Sequence, residues 1–186
     1  MKGPVSGLRR EPVVPPEREL AQLAAFTVGG ELYALDIMRI KEIINPLPIT
    51  PVPRSPAFIE GVLELRGVIL PVVDMRKRFG LPPIAPSRAT KVLIVAIDRL
   101  GGPASVEAAA AGPRWIVGLV VDGVQEVLRV PRAEILPPPA IALTAEARYF
   151  SGVCRLRDRI VMLVDLEALL SPGELRTLDG MDGGGA

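Results

Sequence analysis

The chain repeats itself. Gly61-Val62, Leu65-Arg66, Ile69 and Val73-Asp74 recur without a gap as Gly152-Val153, Leu156-Arg157, Ile160 and Val164-Asp165, each 91 residues further along. Upstream, Ile40, Glu42, Ile43 and Ile44 are matched by Val124, Glu126, Val127 and Leu128. Each half reads as a strand, a Glu-bearing strand, a Pro-rich connection, a hairpin and a capped helix. Short strands with frequent turns point to barrels or a sandwich, and two halves of one design are expected to form two similar small barrels. In a chain of 186 residues, neither half is long enough to bury a comfortable core alone. The two are therefore expected to share apolar surface.

Turn chemistry supports the strands. Residues 24–28 and 31–36 flank Gly29-Gly30, residues 61–65 and 68–73 flank Arg66-Gly67, and residues 155–156 and 160–164 flank Arg157-Asp158-Arg159. All three read as hairpins. Strands over 91–98 and 115–121 border the Ala/Gly-rich stretch 99–114, expected to be a long mobile loop in which 108–111 is able to start a helical turn. The Pro-rich connection 46–53 is unsuited to a central strand. Three short helices are predicted. Asp74 caps 75–79 ahead of Gly80, Asp165 caps 166–170, and Ser171-Pro172-Gly173-Glu174 forms a capping box opening a helix to about residue 178. Residues 1–19 and 179–186 are expected to be flexible tails around one folded unit, 20–178.

Composition acts mainly by exclusion. The chain has no histidine, so a Ser-His-Asp triad, a Cys-His pair, a His metal site and a phosphoacceptor histidine are all ruled out. No GxGxxG or GxxxxGKS/T pattern marks a nucleotide site. Asp74 and Asp165 are explained as helix caps worth about 1 kcal/mol each. No catalytic residue, metal or cofactor is assigned. Lys plus Arg number 22 against 21 Asp plus Glu, which leaves no basic field to attract nucleic acid. Arg76-Lys77-Arg78 reads as the solvated last turn of a helix. The single cysteine, Cys154, lies in an apolar run and is predicted buried and inert, in keeping with a reducing compartment. No apolar leader segment opens the chain, and apolar runs such as 68–73 and 92–97 are strand-sized rather than membrane-spanning. The expected location is the cytoplasm, with no direct membrane insertion.

Residues 26–81, 115–130 and 149–174 resemble the CheW-type chemotaxis coupling proteins. The motifs that carry the resemblance are Pro56-Ala57-Phe58-Ile59-Glu60-Gly61, Leu65-Arg66-Gly67-Val68-Ile69, Pro71-Val72-Val73-Asp74 and Val120-Val121-Asp122-Gly123-Val124. The resemblance runs from about Ala24 to Leu178. It implies a mainly β fold of two SH3-like five-stranded barrels sharing a hydrophobic core, with a few short helices. It also implies a non-enzymatic adaptor that needs no cofactor. Its partners would be the cytoplasmic tips of methyl-accepting chemoreceptors and the regulatory domain of the chemotaxis histidine kinase, joined in ring-like arrays beneath the membrane. The chain departs from the family pattern in its Pro-rich leader and in the loop 99–114.

Carried over by resemblance, the coupling surface comprises Ile40, Glu42, Ile43, Gly61 and Arg66, and a kinase-facing edge comprises Val92, Ile94 and Gly118. Each has a plainer reading. Arg66 is either an exposed turn residue or the partner of Glu42 in a surface ion pair, whose value would be orientation rather than stability. Ile40 and Ile43 are either beside a groove for a receptor helix or plain core. Gly61 and Gly118 permit close backbone approach. Val92 and Ile94 look like any buried strand. Three rival functions are a small enzyme, a kinase module cut from a longer protein, and a generic SH3-like binder of Pro-rich peptides. The Met1 start and flexible ends argue against the second.

Overall fold

The computed structural model describes residues 19–97, 115–138, 145–171 and 173–174. Most of the tail at 1–19, the 99–114 loop, the far end of the third helix and the tail at 179–186 lie outside the described residues. In chain order the strands are β1 (Leu20–Val28), β2 (Glu31–Asp36), β3 (Ile40–Ile44), β4 (Ile59–Leu65), β5 (Val68–Asp74), β6 (Lys91–Ile97), β7 (Trp115–Val121), β8 (Gly123–Pro131), β9 (Phe150–Leu156) and β10 (Arg159–Val164). Helix α1 (Met75–Arg78) follows β5, and α2 (Leu166–Leu169) follows β10.

The strands form two five-stranded sheets of one design. The first barrel has the order β3-β6-β7-β5-β4 and the second β8-β1-β2-β10-β9. Each contains one parallel pair, β5 with β7 and β10 with β2. The Pro-rich connection after β3 closes the first sheet, because Thr50 and Val62 exchange both backbone hydrogen bonds at 2.8 and 2.9 Å. After β8, Leu136 does the same with Val153, both at 2.8 Å.

The duplication extends to single hydrogen bonds. The Asp74 N–H donates to the Phe58 carbonyl and the Asp165 N–H to the Tyr149 carbonyl. Asp74 Oδ1 accepts from the amides of Arg76 and Lys77, and Asp165 Oδ1 accepts from that of Ala168. The two sequence halves are nonetheless not the two barrels. The first barrel is continuous from β3 to β7, whereas the second takes β1 and β2 from the chain's start and β8 to β10 from its end. One further turn differs from expectation. Arg159 already belongs to β10, so the third hairpin turns on Arg157 and Asp158 alone.

Three apolar cores result. Leu63, Leu70, Val72, Val92 and Ile94 fill the first barrel. Leu23, Ala25, Leu32, Ala34, Val161 and Leu163 are among those filling the second. A larger core lies between them, contributed by Phe26, Val28, Tyr33 and Leu35 from one side and Leu93, Val95, Ile97, Val117 and Leu119 from the other. Strands β1, β2, β6 and β7 therefore bury both faces, alternate residues pointing into a barrel or into the seam. This explains their near-continuous apolar sequences. All seven aromatic residues of the chain belong to or pack against the seam core. Phe79 sits among them, with ring centroids 4.9 Å from Tyr33 and 5.5 Å from Phe150.

Candidate functional site

The Arg66-Gly67 turn projects from the β4–β5 hairpin. Both residues have left-handed backbones, φ 53° and 80°, as a two-residue turn of this kind requires. Such a φ costs an arginine about 1 kcal/mol. Arg66 reaches from this turn to Glu42 on β3, the far edge strand of the same sheet. Nη1 donates to Oε1 at 2.8 Å and Nη2 to Oε2 at 3.0 Å. The Arg66 side chain is 76% exposed and that of Glu42 26%. Strands at opposite ends of the sheet order are thereby joined by a two-pronged contact whose geometry is set by the planar guanidinium.

Exposed apolar side chains lie on the same segments: Ile43 on β3, and Val68 and Ile69 on β5. Ile43 is therefore not plain core, whereas Ile40 is half-buried and packs against the seam. Val68 and Ile69 were missed by sequence reasoning. Two adjacent apolar residues opening a strand carry no period-2 signal of which one faces out.

Gly61 holds this hairpin in place. Its φ is 147°, and a Cβ there would lie 2.2 Å from the Thr50 carbonyl oxygen. The close approach that closes the barrel is possible only without a side chain.

Val92, Ile94 and Gly118 do not form an edge. Strand β6 is hydrogen-bonded on both sides, to β3 and to β7. Val92 and Ile94 are buried in the first barrel's interior. Gly118 faces the same interior, where an added Cβ would meet Val92 Cγ1 at 3.0 Å. Their alternating register sends these side chains inward, so a partner would feel them only through the barrel's shape.

Arg76-Lys77-Arg78 is likewise not a solvated turn. Arg76 is bidentate to Asp122 at 2.8 and 2.9 Å. Lys77 pairs with Glu60 at 2.5 Å. The Arg78 side chain, only 6% exposed, pairs with Glu174 at 3.0 and 3.1 Å. Its guanidinium lies 4.0 Å from the Phe58 ring centroid and 4.7 Å from that of Tyr149. Glu174 also completes the expected capping box, accepting from the Ser171 amide while its own amide donates to Ser171 Oγ. Cys154 is buried as expected, and burial, with Glu134 nearby, pushes its thiol pKa up.

Burial opposes ionisation of Asp122. Hydrogen bonds from Arg76 and the Gly29 amide, with the Arg76 charge, outweigh it and hold the carboxyl below its ordinary 3.8. Burial also opposes ionisation of Glu174, but Arg78 and Ser171 bring it below its ordinary 4.5. Both groups bind protons less readily folded than unfolded. Their stabilisation is complete above those ordinary values and is lost as pH falls through the lower folded ones. The double variant Asp122→Asn, Glu174→Gln should be less stable at neutral pH and should lose stability less steeply below about pH 4. Urea midpoints across that range measure this, and an acid limb as steep as the parent's would refute it.

Among the described residues no group of three or more Cys, Asp or Glu side chains is placed to hold a metal ion, and no helix is long and apolar enough to cross a membrane. Comparison with known proteins supplies the context for this geometry. A family model described as "CheW-like domain" matches residues 22–174. A chemotaxis protein CheW of Klebsiella aerogenes is 35% identical over 156 residues, covering 84% of this chain and 85% of that protein. One from Treponema pallidum is 31% identical over 176 residues, covering 95% and 96%. The crystal structure of the scaffolding protein TtCheW of Thermoanaerobacter tengcongensis superposes with a TM-score of 0.68 at 32% identity, covering 82% of this chain and 93% of that one. With its paired five-stranded barrels and a match spanning nearly all the described residues, the chain belongs to the CheW-like domain family.

Proposed function

We propose that the protein is a chemotaxis coupling scaffold that joins chemoreceptor tips to the regulatory domain of a histidine kinase, without catalysis of its own. The observation that carries this reading is the Arg66–Glu42 pair, exposed at a hairpin turn on segments that also carry exposed Ile43, Val68 and Ile69. The backbone is set by the turn, since the equivalent Arg157 has the same φ of 53°, so the functional weight falls on the side-chain pair. An arginine held by an ion pair, on segments that also expose apolar residues, suits a docking surface. Ile40 and Gly61 support it from beneath, while Val92, Ile94 and Gly118 contribute by shaping the barrel. Unlike surfaces meeting head to tail can close into rings, and such rings would recruit the protein to receptor arrays at the membrane. A receptor state that alters these contacts by about 1–3 kcal/mol is enough to switch the kinase.

Arg66→Gly separates binding from folding. Glycine relieves the left-handed strain, and the exposed ion pair is worth about 0–1 kcal/mol, so stability should stay within about 1 kcal/mol. Ternary assembly should weaken about tenfold, as should Arg66→Ala. Unchanged kinase activation in a reconstituted receptor array would rule Arg66 out. The double variant Glu42→Arg, Arg66→Glu should regain binding lost by either single change, and no coupling in that cycle would dismiss the pair.

A further inference from the structure

The two short crossovers between the barrels each carry an ion pair to a helix, and the helix members of the two pairs hold corresponding positions in the duplication. Asp122 alone separates β7 of the first barrel from β8 of the second. It accepts from Arg76, the second residue of α1, and from the Gly29 amide at 2.7 Å in the second barrel's β1–β2 turn. Arg39 ends the three-residue turn Ile37–Arg39 that leads from β2 of the second barrel to β3 of the first. It pairs with Glu167, the second residue of α2, and its Nε donates to the Ala96 carbonyl at 3.1 Å in the first barrel's β6. Arg76 and Glu167 stand 91 residues apart, the repeat's own spacing. Each barrel's helix is thus tied through a crossover residue to the other barrel, and the charges are reversed between the copies.

The seam between the barrels is apolar, and apolar attraction has no direction. Packing in the seam resists displacement, but directional polar contacts discriminate more sharply between neighbouring arrangements. The polar ties are partly buried, with side-chain exposures of 17% and 21% for Arg76 and Asp122 and 27% and 37% for Arg39 and Glu167. Ion pairs so placed add little net stability but can select one arrangement among several.

We propose that Arg76–Asp122 and Glu167–Arg39 are paired latches that set the angle between the barrels, and so decide whether one molecule holds both signalling partners at once. The second clause rests on the coupling function above; the first does not. The four residues are positioning residues, since they act through the orientation of surfaces elsewhere.

The test uses the full chain with Cys154→Ala and spin labels at Glu64→Cys and Arg155→Cys, exposed and equivalent sites on β4 and β9. A second pair, Gln22→Cys with Arg155→Cys, reports on the second barrel alone. The near-isosteric double variant Asp122→Asn, Glu167→Gln should broaden or shift the inter-barrel distances and leave the within-barrel ones unchanged. Glu167→Arg alone should broaden them further, and adding Arg39→Glu should narrow them again. Inter-barrel distances that match the parent's in all three variants overturn the latch. With receptor and kinase present, the double variant should keep each separate affinity within about twofold while kinase activation falls about tenfold. Loosened distances with undiminished activation overturn the link to coupling. A parent protein that fails to activate refutes the coupling function instead, and the distance measurements still decide the latch.

Discussion

Replacing Gly61 by alanine is expected to lower the unfolding free energy by about 3 kcal/mol or more, a loss seen as a fall in urea midpoint at unchanged slope. Two costs combine. The φ of 147° is one that side-chain-bearing residues rarely adopt, worth about 1–3 kcal/mol. The new Cβ would also lie 2.2 Å from the Thr50 carbonyl oxygen and 2.8 Å from Ile49 Cγ2. Relieving that overlap must open the backbone exchange between Thr50 and Val62 that closes the barrel, at about 1–3 kcal/mol. Its counterpart Gly152 supplies the control. A Cβ there would meet the Leu136 carbonyl oxygen at 2.9 Å and Ile135 Cγ2 at 3.0 Å, without a left-handed backbone. Gly152→Ala should therefore cost less, about 1–2 kcal/mol. Equal losses at the two sites would contradict the assignment of strain to Gly61.

Phe79→Ala should cost about 3–5 kcal/mol, the range for removing a buried ring. Phe79 caps α1 from the first barrel, yet its ring contacts Tyr33, Tyr149 and Phe150 of the second. The void would open in the core that both barrels share. Since neither barrel is completed without that seam, unfolding should remain a single cooperative step at lower denaturant, with far- and near-ultraviolet signals coinciding. Two resolved transitions would show that the barrels stand independently, against a shared core.

Much of the local structure was legible because its causes are local. Gly29-Gly30 and Arg66-Gly67 announced hairpins, and Asp74 and Asp165 announced caps, since each signal lies within a few residues of the bond it makes. Ser171 and Glu174 meet at the spacing a capping box demands. The candidate surface was only partly legible. Glu42 and Arg66 were named and do meet, but nothing in the chain distinguished outward Ile43 from half-buried Ile40, or inward Val92 and Ile94 from an edge. Facing depends on which strands flank β6, and its partners β3 and β7 are brought there by the closed sheet. The basic run at Arg76 misled for a similar reason. Its acidic partners Asp122 and Glu174 lie 46 and 96 residues away from Arg76 and Arg78.

The repeat in the amino-acid sequence by itself pointed to two small units of one pattern, with matching hairpins, caps and glycines. Which strands build which barrel was decided only in three dimensions. Hairpins β1–β2 and β6–β7 are equivalent under the duplication, and either pattern would suit either sheet. The choice falls to the short crossovers at Ile37–Arg39 and Asp122, which carry the chain out of one sheet and into the other. It falls also to pairings such as β1 with β8, in which Leu23 meets Leu128. Contacts between residues that distant leave no local trace, because they gain free energy only after the chain has closed the loop between them.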